Sequence, residues 1–139
     1  MAATLHGSPL RTGDTDVCPD VRPENLVKLA AALRDLNARI RTEGVDGGLA
    51  FSCDAAFLSR VGLLNLETDA GDLDLSYTPA GTSGYDDLVN GAVRFDLDGV
   101  AAPVAALRDI IRSKAAANRP KDLASLPILE ELARKLGGS

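Results

Sequence analysis

Acidic residues occur at every second position in two stretches of the sequence, and this alternation predicts a β-strand in each. The first stretch spans residues 12–18 and ends in an apolar Val-Cys pair. The second spans residues 72–77 and alternates polar side chains with leucine and tyrosine. Because side chains two residues apart in a strand point to the same side, each acidic pair should share one face. The pairs are Asp14 and Asp16 in the first strand and Asp72 and Asp74 in the second.

Apolar residues at spacings of three and four predict three longer helices. The first opens at Pro23, because proline is favoured at the first helical position, and is predicted to run to about Ile40 as a scaffold packed on a sheet. The second spans residues 105–117 and ends at Asn118. The third begins near Pro120 and carries a leucine stripe at spacings of three, three, three and four, at Leu123, Leu126, Leu129, Leu132 and Leu136.

Two antiparallel hairpins complete the predicted secondary structure. The strand of residues 61–68 turns at residues 69–71 and returns as the second acidic strand. Residues 92–97 and 100–104 form the other hairpin around Asp98-Gly99, which is a favoured two-residue turn. This mixture of hairpins and helices predicts the α+β (α/β) fold class.

The composition indicates one globular domain with an aliphatic core. The chain has 139 residues, of which 45% are hydrophobic, and this is enough for a single domain over residues 1–139. It has three Phe, two Tyr and no Trp, so Leu, Val, Ile and Ala must build the core. The two cysteines, Cys18 and Cys53, make neither a disulfide framework nor a zinc set and are expected to be buried apolar residues.

The net charge of −5 argues against a general nucleic-acid-binding surface. A local basic pocket remains compatible with that charge. The sequence has no signal peptide and no apolar run long enough to span a membrane, so we expect a cytoplasmic protein with no membrane partner. The basic residues that could form such a pocket are close together near the C-terminus, at Arg108, Arg112, Lys114, Arg119 and Lys121.

The two acidic strands could form a site for a hard cation. If they are neighbours in one sheet, Asp14, Asp16 and Asp74 converge on one or two metal ions. Magnesium prefers oxygen ligands and takes one or two protein carboxylates together with substrate phosphates. Asp74 would lie where a general base is needed, next to an incoming hydroxyl, and Asp72 is a weaker candidate because it is nearer the turn. The alternative is that Asp72 and Asp74 are the solvent face of a hairpin.

Residues ahead of the first acidic strand could bind phosphate. Gly7 and Ser8 could offer backbone N–H groups and a hydroxyl, or they could form an ordinary Gly-Ser-Pro turn. Arg11 could neutralise phosphate charge or lie on the surface. His6 is the only histidine, and packing is favoured over catalysis for it.

A basic segment lies between the last two predicted helices. Lys114 is near the end of the first of these helices, and Arg119 and Lys121 follow closely. These cations could clamp a triphosphate, or they could only complement the helix dipole. Asp122 could cap the last helix or orient Lys114 or Arg119 through an ion pair.

Taken together, these motifs resemble the nucleotidyltransferase superfamily with the polymerase-beta-like fold. The likeness is closest to the AbiEii-type and related small bacterial nucleotidyltransferases, which are often toxins of toxin–antitoxin pairs. It extends from Leu5 to about Leu132. The residues that carry it are His6-Gly7-Ser8-Pro9 with Arg11-Thr12, Asp14-Thr15-Asp16, Leu73-Asp74-Leu75, and Lys114 through Asp122.

The resemblance implies a mixed sheet flanked by helices, with a C-terminal helical pair, and a metal-dependent transferase activity. Such an enzyme moves a nucleoside monophosphate from a nucleoside triphosphate to a hydroxyl of RNA such as tRNA, of a protein or of a small molecule. By this likeness Asp14 and Asp16 bind Mg²⁺ or Mn²⁺, and Asp74 is the third carboxylate. Lys114 contacts the nucleotide phosphates, and a cognate antitoxin is an expected partner.

One departure from the family pattern supports an alternative function. Members of the family usually carry a strand and a Gly-Gly or Gly-Ser turn about a dozen residues before the Asp pair. The sequence begins thirteen residues before Asp14, so we expect this chain to lack that strand and turn. The alternative is a catalytically degenerate member that binds nucleotide or a partner protein without chemistry. A plain structural module would need Asp14, Asp16 and Asp74 all to be incidental.

Overall fold

The computed structural model describes residues 2–7 and 14–136, which group into two compact units. We call residues 14–77 the acidic unit, and residues 2–7 together with 78–136 the helical unit. The expectation of a single domain stays a prediction. In chain order the elements are α1 (Ala2–Leu5), β1 (Asp14–Val17), α2 (Pro23–Asp35), β2 (Arg39–Ile40), α3 (Ala55–Leu58), β3 (Leu63–Thr68), β4 (Gly71–Ser76), α4 (Tyr85–Val89), β5 (Val93–Leu97), β6 (Val100–Val104), α5 (Leu107–Ala117) and α6 (Pro120–Lys135).

The acidic unit is built on a mixed four-stranded sheet with the strand order β1-β4-β3-β2. Strands β1 and β4 run parallel, whereas β4 pairs with β3 and β3 pairs with β2 in antiparallel fashion. The β3–β4 hairpin confirms the prediction for residues 61–77, because Thr68 pairs with Gly71 across its turn. A mixed sheet combined with helices confirms the α+β fold class.

One face of this sheet packs against α2 and α3. Leucines at alternate positions of β3 and β4 point to this face, and the side chains of α2 and α3 cover them. Asp54 begins α3, where its carboxylate accepts a hydrogen bond of 2.8 Å from the backbone N–H of Phe57. The aliphatic core predicted from the composition therefore lies on one side of the sheet, and its buried residues are Leu26, Ala30, Leu33, Leu58, Leu64, Leu66 and Leu75.

Helix α2 ends at Asp35, so the prediction that it runs to about Ile40 is wrong. Asn37 takes a left-handed backbone conformation with φ of 53°, and asparagine is one of the few residues that accept it readily. The backbone N–H of Ala38 then donates to the carbonyl of Leu33 over 3.0 Å, which closes the helix end. The chain leaves in an extended conformation and forms β2 instead.

The helical unit combines the β5–β6 hairpin with the antiparallel pair α5 and α6. Both central residues of the hairpin turn have positive φ, 53° for Asp98 and 87° for Gly99, as the predicted Asp-Gly turn requires. Asn118 ends α5 with φ of 55°, which confirms the predicted helix end. The pair is held by a small apolar cluster of Leu107, Leu129 and Ala133, with Ile110, Ile111 and Leu132 against it.

The leucine stripe of α6 does not form a single buried face. Leu129 is fully buried, but Leu123 is 49% exposed. Each step of three residues falls about 60° short of a full turn, so three such steps carry the stripe half-way around the helix. Leu123 therefore lies opposite Leu132. None of the helices within the described ranges is long and apolar enough to cross a membrane.

Candidate functional site

The parallel pairing of β1 with β4 brings the two acidic stretches side by side. Asp14 is level with Asp72, and Asp16 is level with Asp74. Adjacent strands lie about 4.8 Å apart, and residues level with each other in a ladder present their side chains on the same face. The backbone positions of the three predicted metal ligands are thus neighbours in one sheet. The side chain of Asp14 lies outside the described part of the chain.

The acidic positions lie on the sheet face opposite the core. Leu75 is fully buried against the helices, and strand alternation therefore turns Asp74 to the other side. The side chain of Asp74 is 19% exposed and that of Asp72 is 42% exposed, while Asp16 is exposed. We call this side of the sheet the acidic face. Its carboxylates are accessible to a ligand from solvent.

Arg41, directly after β2, is the residue of the acidic face that the sequence did not reveal. Its Nη2 donates to Oδ1 of Asp74 over 2.8 Å, and its Nη1 lies 3.3 Å from Oδ2 of Asp72. Nη1 also lies 3.5 Å from the backbone carbonyl oxygen of Leu66. One guanidinium therefore bridges the two carboxylates of β4. The side chain is 30% exposed, so these contacts are partly shielded from water.

The donor set of the acidic face suits a hard divalent cation. Carboxylate oxygens on adjacent strands are the ligands that Mg²⁺ and Mn²⁺ prefer. Asp16 and Asp74 provide such oxygens at level positions. Asp14 is two residues before Asp16 in β1, and its backbone is level with Asp72. Within the described side chains, no group of three or more His, Cys, Asp or Glu is arranged to hold a metal ion. A complete site would therefore require Asp14 or oxygens from a ligand.

The basic segment between α5 and α6 is organised around the buried carboxylate of Asp122, which is 1% exposed. Its Oδ2 accepts from Arg119 Nε over 2.6 Å and from the Arg119 backbone N–H over 3.2 Å. Lys114 Nζ lies 3.8 Å from Oδ1. These contacts confirm both roles expected for Asp122, because it caps α6 and also pairs with the two cations.

The same contacts set the protonation state of Asp122. Hydrogen bonds from the Arg119 side chain, more than any other influence, hold the pKa of this carboxyl below its ordinary value of 3.8. The backbone N–H of Arg119 and the charge of Lys114 act in the same direction, while burial opposes them. Arg119 remains 58% exposed and Lys114 33% exposed, so both cations can still reach a ligand.

The predicted phosphate-binding residues near the start of the chain are only partly described. Gly7 is exposed and has φ of 104°, a backbone conformation that favours glycine whatever its function. Ser8 and Arg11 lie outside the described residues. His6 Nε2 lies 2.8 Å from the carbonyl oxygen of Ala105, and its ring meets Phe95 edge-on at 5.4 Å. These contacts confirm the packing role expected for His6.

The two cysteines behave as partly buried apolar side chains. Burial raises the pKa of the Cys18 thiol, which donates to the carbonyl of Tyr77 over 3.6 Å. Burial likewise raises the pKa of the Cys53 thiol, which lies 3.7 Å from the carbonyl oxygen of Ala30. Both thiols are therefore protonated and weakly nucleophilic at neutral pH.

The site residues fall into two sets. Asp16, Asp74 and the backbone of Asp14 belong to the acidic unit, while Gly7, Lys114 and Arg119 belong to the helical unit. The convergence of the two sets stays a prediction. No protein-family model matches the chain, and the search of curated proteins also gave no match.

Proposed function

We propose that the chain is a metal-dependent nucleotidyltransferase that moves a nucleoside monophosphate from a nucleoside triphosphate to a hydroxyl. The observation that carries this proposal is the register of β1 with β4, which sets Asp16 level with Asp74 and Asp14 level with Asp72. Few structural roles require paired carboxylates on the solvent side of adjacent strands, because like charges there repel each other. A divalent cation would remove that cost.

The carboxylates of the acidic face would divide the chemistry between them. Asp14 and Asp16 would hold Mg²⁺ or Mn²⁺, which when bound supplies positive charge to the phosphate oxygens. Asp74 would accept the proton of the acceptor hydroxyl while the oxygen of that hydroxyl bonds to the α-phosphorus. The bond between the α-phosphorus and the bridging oxygen would break, and pyrophosphate would leave with the electron pair.

Lys114 and Arg119 would bind the phosphates of the nucleotide. Their ion pairs with Asp122 support this role, because a buried carboxylate restricts the positions of both cations before a ligand arrives. Each cation keeps part of its side chain exposed, so a phosphate oxygen could contact it without breaking the contact to Asp122. Arg119 adds the planar guanidinium that suits phosphate geometry.

The acceptor we propose is a hydroxyl of RNA, of a protein or of a small molecule. The net charge of −5 makes a long nucleic-acid footprint unfavourable, so an RNA acceptor would be engaged through a short segment such as an end. A cytoplasmic location and a cognate antitoxin belong to the same proposal.

A second candidate function is a degenerate relative that binds nucleotide or a partner protein without catalysis. One observation favours it: the guanidinium of Arg41 already bridges Asp72 and Asp74, the latter being the carboxylate that transfer chemistry would use. In that case the guanidinium would replace the cation permanently. The two candidate functions differ in whether the protein transfers any nucleoside monophosphate to an acceptor.

A labelling assay separates the candidates. The purified chain is incubated with Mg²⁺, each of four nucleoside triphosphates labelled at the α-phosphate, total RNA and the chain itself. We expect label in RNA or protein with the wild type and none with Asp14→Ala/Asp16→Ala. Asp46→Asn serves as the matched control, because Asp46 is an exposed acidic residue of the 42–48 loop. Nucleotide binding by calorimetry without any transfer would support the degenerate relative instead.

A further inference from the structure

Arg41 reaches the acidic face from the far edge of the sheet. Its backbone N–H donates to the carbonyl of Asn65 on β3 over 2.9 Å, whereas its guanidinium contacts Asp72 and Asp74 on β4. The side chain therefore crosses β3, a reach of about two strand spacings or 9–10 Å. The extended arginine and the aspartate side chains that it meets together span this distance, and the guanidinium presents two N–H groups in a fixed plane.

The two carboxylates that Arg41 joins are two residues apart on one strand. They lie on the same face, so their negative charges repel each other unless a cation lies between them. The guanidinium fills that position, with Nη2 at 2.8 Å from Asp74 and Nη1 at 3.3 Å from Asp72. The positive charge beside Oδ1 of Asp74 repels a divalent cation and makes that oxygen a poorer ligand.

We propose that Arg41 is a positioning residue that fixes the carboxylate of Asp74 and competes with a divalent cation for the acidic face. This inference rests on the proposed function, since it assumes that the acidic face is the cation site. The consequence is that the free protein binds a divalent cation weakly. Loss of the guanidinium removes its positive charge from beside Asp72 and Asp74, and affinity for the cation rises.

The test is titration of the full chain with Mn²⁺ alone, with free Mn²⁺ followed by electron paramagnetic resonance. Arg41→Ala should tighten Mn²⁺ binding by about tenfold, the effect of one charged contact. Arg41→Lys keeps the positive charge but loses the planar guanidinium. Its affinity for Mn²⁺ should lie between those of the wild type and Arg41→Ala. A purely structural role for Arg41 would leave the affinity unchanged or weaken it, so the direction of change is diagnostic.

Two controls locate the effect. Arg39→Ala removes an arginine two residues away whose Nη1 contacts Asp69 at 3.5 Å, and it should change affinity by less than about threefold. Arg41→Ala combined with Asp74→Asn should lose the gain in affinity, because the side chain at position 74 no longer carries a negative charge. If Arg41→Ala does not fold, Arg41→Gln removes the charge while keeping most of the side chain.

The outcomes distinguish this inference from the proposed function. If the wild type binds Mn²⁺ and the Arg41 variants bind it equally or more weakly, the competing role of Arg41 is wrong while the cation site stands. If neither the wild type nor any Arg41 variant binds Mn²⁺, both the inference and the metal-dependent function are overturned. The inference is supported if only the Arg41 variants bind Mn²⁺ more tightly and if adding Asp74→Asn abolishes that gain in affinity.

Discussion

Asp16 and Asp74 lie directly level with each other in the parallel ladder of β1 and β4. Fifty-seven residues separate them in the sequence, yet the register places both on the sheet face that α2 and α3 leave uncovered. Asp16 is exposed and Asp74 is 19% exposed within an ion pair to Arg41. Two carboxylates of one face therefore have different environments.

Asp74→Asn should lower the rate of label transfer by about 10²–10⁴-fold if Asp74 accepts the proton of the acceptor hydroxyl. The fold should survive, because an asparagine oxygen can still accept the hydrogen bond from Arg41. The measurement is the initial rate of transfer together with a thermal melt. Asp46→Asn, an exposed loop change, should transfer at the wild-type rate. Normal transfer by the Asp74→Asn protein would remove Asp74 from the chemistry.

Asp122→Ala should lower the free energy of unfolding by about 2 kcal/mol. The change removes the cap of α6 and leaves Arg119 and Lys114 without their shared partner. Urea denaturation measures the effect. Glu131→Ala is the matched control in the same helix, because its ion pair with Arg134 is solvent-exposed and should leave the unfolding midpoint unchanged. Equal effects of the two changes would contradict a special role for the buried carboxylate.

The stabilisation by Asp122 should depend on pH in one direction. Arg119 lowers the pKa of this carboxyl in the folded protein, so the stabilisation is complete above its ordinary value of 3.8 and disappears as the pH falls through the lowered pKa. Asp122→Asn lacks this titration. The stability difference between wild type and Asp122→Asn should therefore be largest near neutral pH and shrink below about pH 4. A difference that grows on acidification would contradict the assignment.

Gly81→Ala should destabilise the helical unit by about 1–3 kcal/mol. Gly81 has φ of 71°, and an added Cβ would lie 2.7 Å from the Cβ of Ala116 on α5. Gly44→Ala separates the strain of a positive φ from the close contact of an added Cβ, because Gly44 has φ of 77° but open space around it. Gly62→Ala, with neither positive φ nor a close neighbour, should be neutral. Thermal melts of the three variants should rank Gly81→Ala lowest.

The acidic strands were predictable because alternation is a local signal. Asp72 and Asp74 alternate with Leu73 and Leu75, and the structure turns the two sets to opposite faces. The turn at residues 69–71 likewise identified the partner of β4. The pairing of β1 with β4 could only be assumed, because the local sequence does not show which distant strands pair or in which register.

Arg41 was missed because the segment that presents it looked like the end of a helix. The leucine spacing of α2 continued to Leu36, and nothing periodic distinguished a two-residue strand after it. The left-handed conformation of Asn37 is the physical cause of the change in direction. The alternation of Arg39 and Arg41 about Ile40 is the local pattern that indicates a strand here. It supports a strand only if the preceding helix is assumed to end before Asn37.

Paramagnetic broadening of amide signals by Mn²⁺ in the ¹⁵N-labelled protein would locate the cation site on the sheet. If the level carboxylates of β1 and β4 form one cation site, the signals of residues 14–17 and 72–76 should broaden first, and Asp16→Asn should weaken that effect. Early broadening confined to other acidic segments, such as residues 42–48, would show that the cation binds away from β1 and β4. The absence of broadening at β1 and β4 when Mn²⁺ is in excess would contradict the cation site.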